Sequence, residues 1–310
     1  IKDESCCRDL NGDGQNDNKL AFIVKTIENT LEQSLNPNIQ QSIAEGRNTL
    51  LFEYEYWTGR DNDPAIVMNS YRGIDAEEPF TDNMSGLGTF LVTPEFLTDE
   101  DEPVYSMDRA AVEDATLYAE GGRIPFGMVL APAVLQVDIH DPELRATIAN
   151  EPPSFTLEAG GTVELEDGRI TGYALIDQFF RKVNEYTKTG CDCIEAEVFV
   201  KTGEGQWQCV ADQLDPAPTC DEDDTTMCNL MGTQARCGLF ANVLNNNLDV
   251  DSDGNGTPDA ISLALSFEAV GASIVGTGTE TDPGGDAGNG DTGDTGTGDT
   301  GTSDDADAGM

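Results

Sequence analysis

The sequence predicts an α+β, β-rich fold, in which an antiparallel sandwich or barrel-like sheet follows N-terminal helices and precedes a disulfide-rich segment. Three observations predict it. Short segments separated by turn residues fill residues 47–175, and such regular spacing is typical of sandwiches and barrels. Helical periodicity is concentrated in residues 18–46, and six of the eight cysteines lie within residues 191–237. We therefore expect one folded domain over residues 1–275.

The N-terminal helices are predicted from apolar spacing. Four apolar residues of the segment 19–35 recur at helical intervals: Leu20, Ile23, Ile27 and Leu31. Asn36-Pro37 ends this pattern, because proline cannot continue a helix. A second, short helix is predicted over residues 37–44. In residues 51–56 aromatic residues then alternate with glutamates, which predicts a half-buried strand.

The predicted strands of the sheet are short and separated by turn residues. Six further strands are predicted over residues 65–70, 88–92, 124–130, 134–139, 162–165 and 169–175. Glu166-Asp167-Gly168 predicts a hairpin turn between the last two. Residues 176–186 place Ile176, Phe179, Phe180 and Val183 on one face, which predicts a helix after the sheet.

The charge of the chain excludes several classes of partner. Asp and Glu number 59 against 16 Lys and Arg, giving a formal net charge of -43. Nucleic-acid phosphates would be repelled, so nucleic acid is excluded as a partner. Anionic lipid is disfavoured for the same reason, and divalent cations are the expected counter-ions. No apolar run approaches the roughly 18 residues of a membrane span.

The cysteines indicate disulfides rather than a metal knuckle. Eight cysteines accompany a single histidine, His140, which we expect to be a solvated turn residue. Zinc patterns built from Cys and His are thereby unavailable. Adjacent Cys6 and Cys7 would bridge each other only with strain, so we expect at least one of them to bond within residues 191–237. An oxidising compartment follows, and the chain, which lacks a signal-peptide core, is expected to be a mature or trimmed secreted form.

Two nonamers near the ends of the folded part carry oxygen-bearing residues in one register. Residues 9–17 and 251–259 place Asp or Asn at positions 1, 3, 5 and 9, with Gly at position 6. Calcium takes 6 to 8 hard oxygen ligands, and Gly permits the sharp turn between them. The predicted ligands, with the position-7 carbonyl included, are Asp9, Asn11, Asp13, Gln15 and Asp17 in the first loop, and Asp251, Asp253, Asn255, Thr257 and Asp259 in the second. We therefore expect two Ca²⁺ ions; the alternative is that both nonamers are ordinary Asx-rich turns.

Neither nonamer is a complete EF-hand. Position 12, where an EF-hand has a bidentate Glu, is Leu20 after the first loop and Ser262 after the second. The D-x-D-x-D-G-x-x-D core instead resembles the calcium loops of thrombospondin type 3 repeats and of bacterial dockerin-like extracellular proteins. The resemblance covers about nine residues at each site. It implies structural calcium binding outside the cell, with a further acidic ligand such as Asp249 completing the second loop.

Residues beyond the second loop complete the predicted organisation. Alternation in residues 263–269 favours a strand over a helix, with Gly271 ending it. If that strand joins the sheet, the two loops close the domain from both ends of the chain. Residues 276–310 contain no aromatic residue and no Lys or Arg, so we expect a disordered acidic Gly/Thr/Asp tail.

The function expected from these features is that of a calcium-stabilised extracellular or cell-surface binding or structural protein. Its ligand is unidentified and could be a second copy of the chain, and attachment through a segment outside this sequence is left open. Two alternatives remain: a secreted hydrolase that uses paired carboxylates, and a calcium-dependent subunit of a surface layer or filament. A single histidine disfavours Ser or Cys nucleophiles.

Overall fold

The computed structural model describes residues 8–31, 49–59, 61–76, 86, 88–130, 133–149, 163–220 and 226–278. The predicted helix 37–44 and the acidic tail beyond residue 278 lie outside them. The strands are β1 (Thr49–Glu55), β2 (Asn62–Asp75), β3 (Gly88–Val92), β4 (Arg109–Glu113), β5 (Thr116–Glu120), β6 (Arg123–Leu130), β7 (Ala133–Ile148), β8 (Leu165–Leu175), β9 (Phe199–Lys201), β10 (Trp207–Cys209), β11 (Ala260–Ala269) and β12 (Ala272–Thr277).

Ten of these strands form one sheet in the order β11-β8-β7-β5-β4-β2-β3-β12, with β1 paired to β2 and β6 paired to β7. All pairs are antiparallel except β12 with β3. The two strands at the ends of this order, β11 and β12, are joined by only Val270 and Gly271. So short a link brings the two ends of the sheet together, which gives the barrel-like curvature expected from the sequence.

Long strands divide their pairing between neighbours. The first part of β7 pairs with β6, from Ala133 opposite Leu130 to His140 opposite Arg123. Its second part pairs with β5, and β8 runs along its other side. A register shift between His140 and Glu143 bends β7 at the junction of its two parts.

The described α-helices are α1 (Lys19–Leu31), α2 (Ile176–Gly190), α3 (Thr226–Met231) and α4 (Gln234–Asn245). Helix α1 packs on β11, α2 packs on β7, and α4 packs on the β9–β10 hairpin. Within these described residues no helix is long and apolar enough to cross a membrane.

Apolar side chains collect in separate clusters. One lies inside the curved sheet and includes Met68, Leu117, Ile139 and Leu263. Another lies between the helices, the β9–β10 hairpin and the cysteines, where Phe180 contacts the Phe199 and Trp207 rings at centroid distances of 4.9 and 5.1 Å. Burial of such aromatic side chains supplies a large part of the folding free energy.

Several predicted elements are confirmed. The first strand, the strand 88–92 and the helix from Ile176 are present, and β11 confirms a strand rather than a helix after the second loop. The hairpin turn at Glu166-Asp167-Gly168 is wrong. These residues lie within β8, where Glu166 pairs with Thr147 and Gly168 pairs with Phe267, and a register shift marks a bulge.

The cysteine-rich segment differs from expectation in two ways. Its disulfides are Cys191–Cys228, Cys193–Cys220 and Cys209–Cys237. The six cysteines of residues 191–237 therefore form three bonds among themselves. The expected disulfide from this segment to Cys6 or Cys7, which lie outside the described residues, is wrong. The disulfides also accompany an apolar core rather than replacing one, because Cys191, Cys209, Cys228 and Cys237 are buried in it.

Candidate calcium sites

In the first Asp-rich loop, Asp9 binds the loop backbone through both carboxylate oxygens. Its Oδ1 accepts a hydrogen bond from the Gly12 N–H over 2.7 Å, and its Oδ2 accepts one from the Gly14 N–H over 2.9 Å. Asp17 closes the loop, since its Oδ2 accepts from the Leu10 N–H over 2.9 Å. Both glycines have positive φ, 78° and 87°, a conformation that residues with a Cβ adopt at a cost.

The middle of the first loop is built from consecutive Asx turns. The Asp13 N–H donates to Asn11 Oδ1 over 2.9 Å, and the Gln15 N–H donates to Asp13 Oδ1 over 2.8 Å. Short Asn and Asp side chains favour such turns because their oxygens reach backbone two residues on. The side-chain oxygens of Asn11 and Asp13 therefore fix the backbone of the loop.

The second loop closes in the same way as the first, although its first aspartate binds the N–H groups of positions 5 and 6 rather than 4 and 6. Asp251 Oδ2 accepts from the Gly256 N–H over 2.6 Å, and its Oδ1 accepts from the Asn255 N–H over 3.1 Å. Asp259 closes this loop, since its Oδ1 accepts from the Ser252 N–H over 2.8 Å. The Ser252 hydroxyl adds a second bond to Asp259 Oδ2 over 2.8 Å.

The middle of the second loop repeats the Asx turns of the first. The Asn255 N–H also donates to Asp253 Oδ1 over 3.1 Å, and the Thr257 N–H donates to Asn255 Oδ1 over 2.8 Å. Gly254 and Gly256 have φ values of 72° and 88°. Positions 1, 3, 5 and 9 thus act alike in both loops.

The donor set has the chemistry that calcium prefers. Each loop carries three aspartates and one asparagine at these positions, and a carboxylate that accepts one N–H bond keeps lone pairs for a cation. Position 7, expected to offer a carbonyl, also fixes the loop through its N–H. Within the described residues, however, no group of three or more His, Cys, Asp or Glu side chains is arranged to hold a metal ion.

The exit of the first loop is bound to the strand that follows the second. Asn18 is 1% exposed and uses its side-chain amide to bind the backbone N–H and carbonyl of Ala264 in β11. The next residue, Lys19, donates its N–H to Ser262 Oγ over 2.9 Å. The two loops are therefore attached to the same strand, although they lie near opposite ends of the folded chain.

Asp249, the expected further ligand of the second loop, binds Ser262 of β11 through both carboxylate oxygens. Its Oδ1 accepts from the Ser262 N–H over 2.8 Å and its Oδ2 from the Ser262 hydroxyl over 2.5 Å. Burial and the nearby charge of Asp17, in the first loop, raise the pKa of Asp249 above the usual carboxyl range, against the opposing effect of the Ser262 bonds. Asp249 therefore joins the exit of the first loop to β11.

The entrance of the first loop is bound to β7. The Arg8 guanidinium forms ion pairs with Asp141 and Glu143, both at 3.1 Å. The Arg8 carbonyl also accepts from the Asp17 N–H over 2.8 Å, so both ends of the loop meet there. The two strands that flank β8 in the sheet, β7 and β11, thus both support this loop.

His140 lies at the bend of β7, and its predicted place in a solvated turn is wrong. Its half-buried ring stacks on Tyr173 at a centroid distance of 5.7 Å, and its Nε2 lies 3.3 Å from Gln178 Oε1. Burial, and then the charges of Asp141 and Asp259, raise the pKa of Tyr173. The second loop therefore ends near the same bend that supports the first.

A buried carboxylate next to this bend was not predicted from the sequence. Asp138 is 5% exposed, accepts from the Tyr105 hydroxyl over 2.9 Å and pairs with Arg123 at 3.3 Å. Burial and this carboxylate raise the pKa of Tyr105 to about 12. Alternation in residues 134–139 marks a strand, but it does not indicate which carboxylate has buried partners.

Two carboxylates of β1, those of Glu53 and Glu55, share a hydrogen-bond donor. Asn69 Nδ2 donates to Glu55 over 2.9 Å and to Glu53 over 3.5 Å, and the Tyr71 hydroxyl donates to Glu53 over 2.6 Å. Spacing of two along a strand could have identified this pair. It lies outside the lining of the cavity of about 690 Å³ over β4, β5, β7 and β8.

Comparison of the chain with protein-family models, with curated proteins and with solved structures finds no match. Function is therefore inferred from the chain's own residues and contacts.

Proposed function

We propose that this chain is a calcium-stabilised extracellular or cell-surface binding or structural protein, with one Ca²⁺ in each Asp-rich loop. The observation that carries the proposal is that both loops are attached to β11 and share four hydrogen bonds in the same register. These run from the N–H groups of positions 2, 5, 6 and 7 to the side chains of positions 9, 3, 1 and 5, respectively. Two chance turns would have no reason to share both a pattern and a strand. Calcium at these places would stabilise the contact between distant parts of the chain.

Electrostatics support calcium as the stabilising ion. Three aspartates within nine residues repel one another, and a divalent cation among them offsets that repulsion. The repulsion extends further at the exit of the first loop, where Asp17 raises the pKa of Asp249. Bound cations would reduce the electrostatic self-repulsion of a chain with a formal net charge of -43.

The residues after each loop favour a permanent structural role over switching. Leu20 lies in α1 and Ser262 is fully buried in β11, so neither loop continues to an EF-hand position-12 carboxylate. We expect dissociation constants of about 10⁻⁴ to 10⁻³ M, the range of extracellular modules. Disulfides at Cys191–Cys228, Cys193–Cys220 and Cys209–Cys237 are compatible with that oxidising, calcium-rich setting.

The proposal is tested by thermal unfolding in excess EDTA and in millimolar calcium, with magnesium as a comparison. The wild-type melting temperature is expected to rise with calcium. Asp253→Asn keeps an oxygen that can accept the Asn255 N–H, gives up only the exposed bond from Asn255 Nδ2, and removes one of three charges. We therefore expect this variant to melt no lower than wild type in EDTA and to show a smaller calcium-induced rise.

Asp212→Asn provides the matched control, because Asp212 is an exposed residue outside both loops. Asp13→Asn repeats the test in the first loop. A melting temperature that is the same in EDTA and in calcium would disprove the proposal. Light scattering of the same samples would show whether calcium also produces oligomers, as the surface-layer alternative requires.

A further inference from the structure

An open cavity of about 690 Å³ lies on the outer face of the sheet, over strands β2, β4, β5, β7 and β8. The side chains that matter for its chemistry are Arg109, Tyr118, Glu120, Arg145, Arg169 and Thr171. Cations are scarce in this chain, with 16 Lys and Arg against 59 Asp and Glu. Three arginines in one cavity therefore need an explanation.

Two of these arginines face each other directly. Arg145 of β7 and Arg169 of β8 are cross-strand partners, and like charges in that position destabilise a sheet. Neither guanidinium forms an ion pair with a carboxylate of the described residues. Within the described part of the chain these two adjacent positive charges are therefore not neutralised by ion pairs.

Three carboxylates, those of Asp108, Glu120 and Glu143, also line the cavity. Glu120 pairs with Arg109, and Glu143 pairs with Arg8. Among the described residues Arg145 and Arg169 have no ion-pair partner, so the cavity offers two guanidinium groups, and such groups bind carboxylate or sulfate through two parallel hydrogen bonds. Most of the remaining surface repels such groups.

The rest of the lining suits the ring of a sugar. Tyr118 lies opposite Arg145, is 38% exposed, and its ring centre is 5.3 Å from the Arg145 guanidinium carbon. Alanines at positions 65 and 111 leave room beside it. Thr171 is 5% exposed, and its hydroxyl has no hydrogen-bond partner within the described part of the chain.

Strand pairing argues against an extended acidic peptide as the occupant. Peptides commonly bind sheets by adding a strand to a free edge. Strands β4, β5, β7 and β8 each have neighbours on both sides, so no edge is available at the cavity. A ligand must instead lie across the face and contact side chains.

We propose that this cavity binds a short acidic sugar, with its carboxylate or sulfate group on Arg145 and Arg169 and its ring against Tyr118; a long polyanion would be repelled by the surrounding acidic surface. The inference rests on the proposed function only for its extracellular setting. Calcium in the first loop is not required, although that loop borders the cavity through the Arg8–Glu143 ion pair.

Isothermal titration calorimetry with a chondroitin sulfate disaccharide at physiological ionic strength, where the repulsion of the acidic surface is screened, tests the proposal. Wild type is expected to bind this probe and not to bind neutral dextran. Arg145→Gln and Arg169→Gln should each weaken binding about tenfold or more, because each removes a charge-assisted pair. Lysine at either position should restore it only in part, since an ammonium lacks the fork.

Arg236→Gln controls for net charge, because Arg236 is exposed on α4, away from the cavity. It should bind the chondroitin sulfate disaccharide like wild type. Absence of binding by folded wild type, equal loss in all three glutamine variants, or equally tight binding of polyglutamate would overturn the proposal. Titrations in EDTA and in calcium distinguish this inference from the proposed function. Sugar binding without a calcium-induced rise in melting temperature would support this inference and contradict the proposed function. A calcium-induced rise without sugar binding would contradict this inference and leave the proposed function supported.

Discussion

The side chain of Asn18 pairs with the backbone of Ala264 as a neighbouring strand would. Asn18 Oδ1 accepts from the Ala264 N–H over 3.1 Å, and its Nδ2 donates to the Ala264 carbonyl over 3.3 Å. The two residues are 246 positions apart. One asparagine thereby connects the exit of the first loop to β11.

Asn18→Ala should destabilise the protein substantially. It leaves the Ala264 N–H and carbonyl without these bonds in a buried place, which costs about 2 to 4 kcal/mol. Urea denaturation should show the loss. Asn16→Ala is the control, since Asn16 is exposed and lies two residues earlier. Similar stabilities for the two variants would show that the Asn18 pairing contributes little.

Asp249 should make stability depend on pH in a particular direction. Its pKa is raised, chiefly by burial, so the folded state holds the proton more tightly than the unfolded state. This contribution is fully present below the unfolded pKa of about 4 and is lost as pH rises through the folded pKa. In EDTA, wild type should lose stability relative to Asp249→Asn as pH rises from about 4 to 7. Denaturation curves that keep a constant separation over this range would contradict the assignment.

The disulfide pairing can be mapped directly. Proteolysis without reductant and mass spectrometry should recover peptides joined through Cys191–Cys228, Cys193–Cys220 and Cys209–Cys237. In the chain-entropy model, removing any one of these disulfides lowers the free energy of unfolding by about 3 to 4 kcal/mol. Reduction should therefore lower the urea midpoint strongly. Recovery of a peptide joining Cys6 or Cys7 to residues 191–237 would contradict this pairing.

Features determined within a few residues could be predicted from the sequence. The loop hydrogen bonds join residues at most eight positions apart, and the spacing of Asp, Asn and Gly specifies them. The strand Gly88–Val92 could also be predicted from its own residues, because alternation and flanking turn residues mark its bounds.

Features that depend on a partner strand could not be predicted. Asp167 has a φ of 51°, and the same left-handed conformation serves a hairpin turn or a bulge. The hairpin of β4 and β5 was missed because its turn residues, Asp114 and Ala115, both have positive φ, and Ala is rarely chosen for such a turn.

The two candidate sites also differ in whether local sequence specifies them. The Asp-rich loops are visible in the sequence, whereas Arg145 and Arg169 become neighbours only through the register of β7 against β8. A bulge between residues 145 and 147 shifts that register locally, and no local pattern specifies it.

The bond between Asn18 and Ala264 also bears on how the chain matures. A chain that is synthesised or exported from its N terminus must wait for residue 264 before residues 9–17 gain their support. Contacts so remote in sequence form slowly, because a long stretch of chain must first be brought together. The first loop would therefore be completed late, when nearly the whole chain is available.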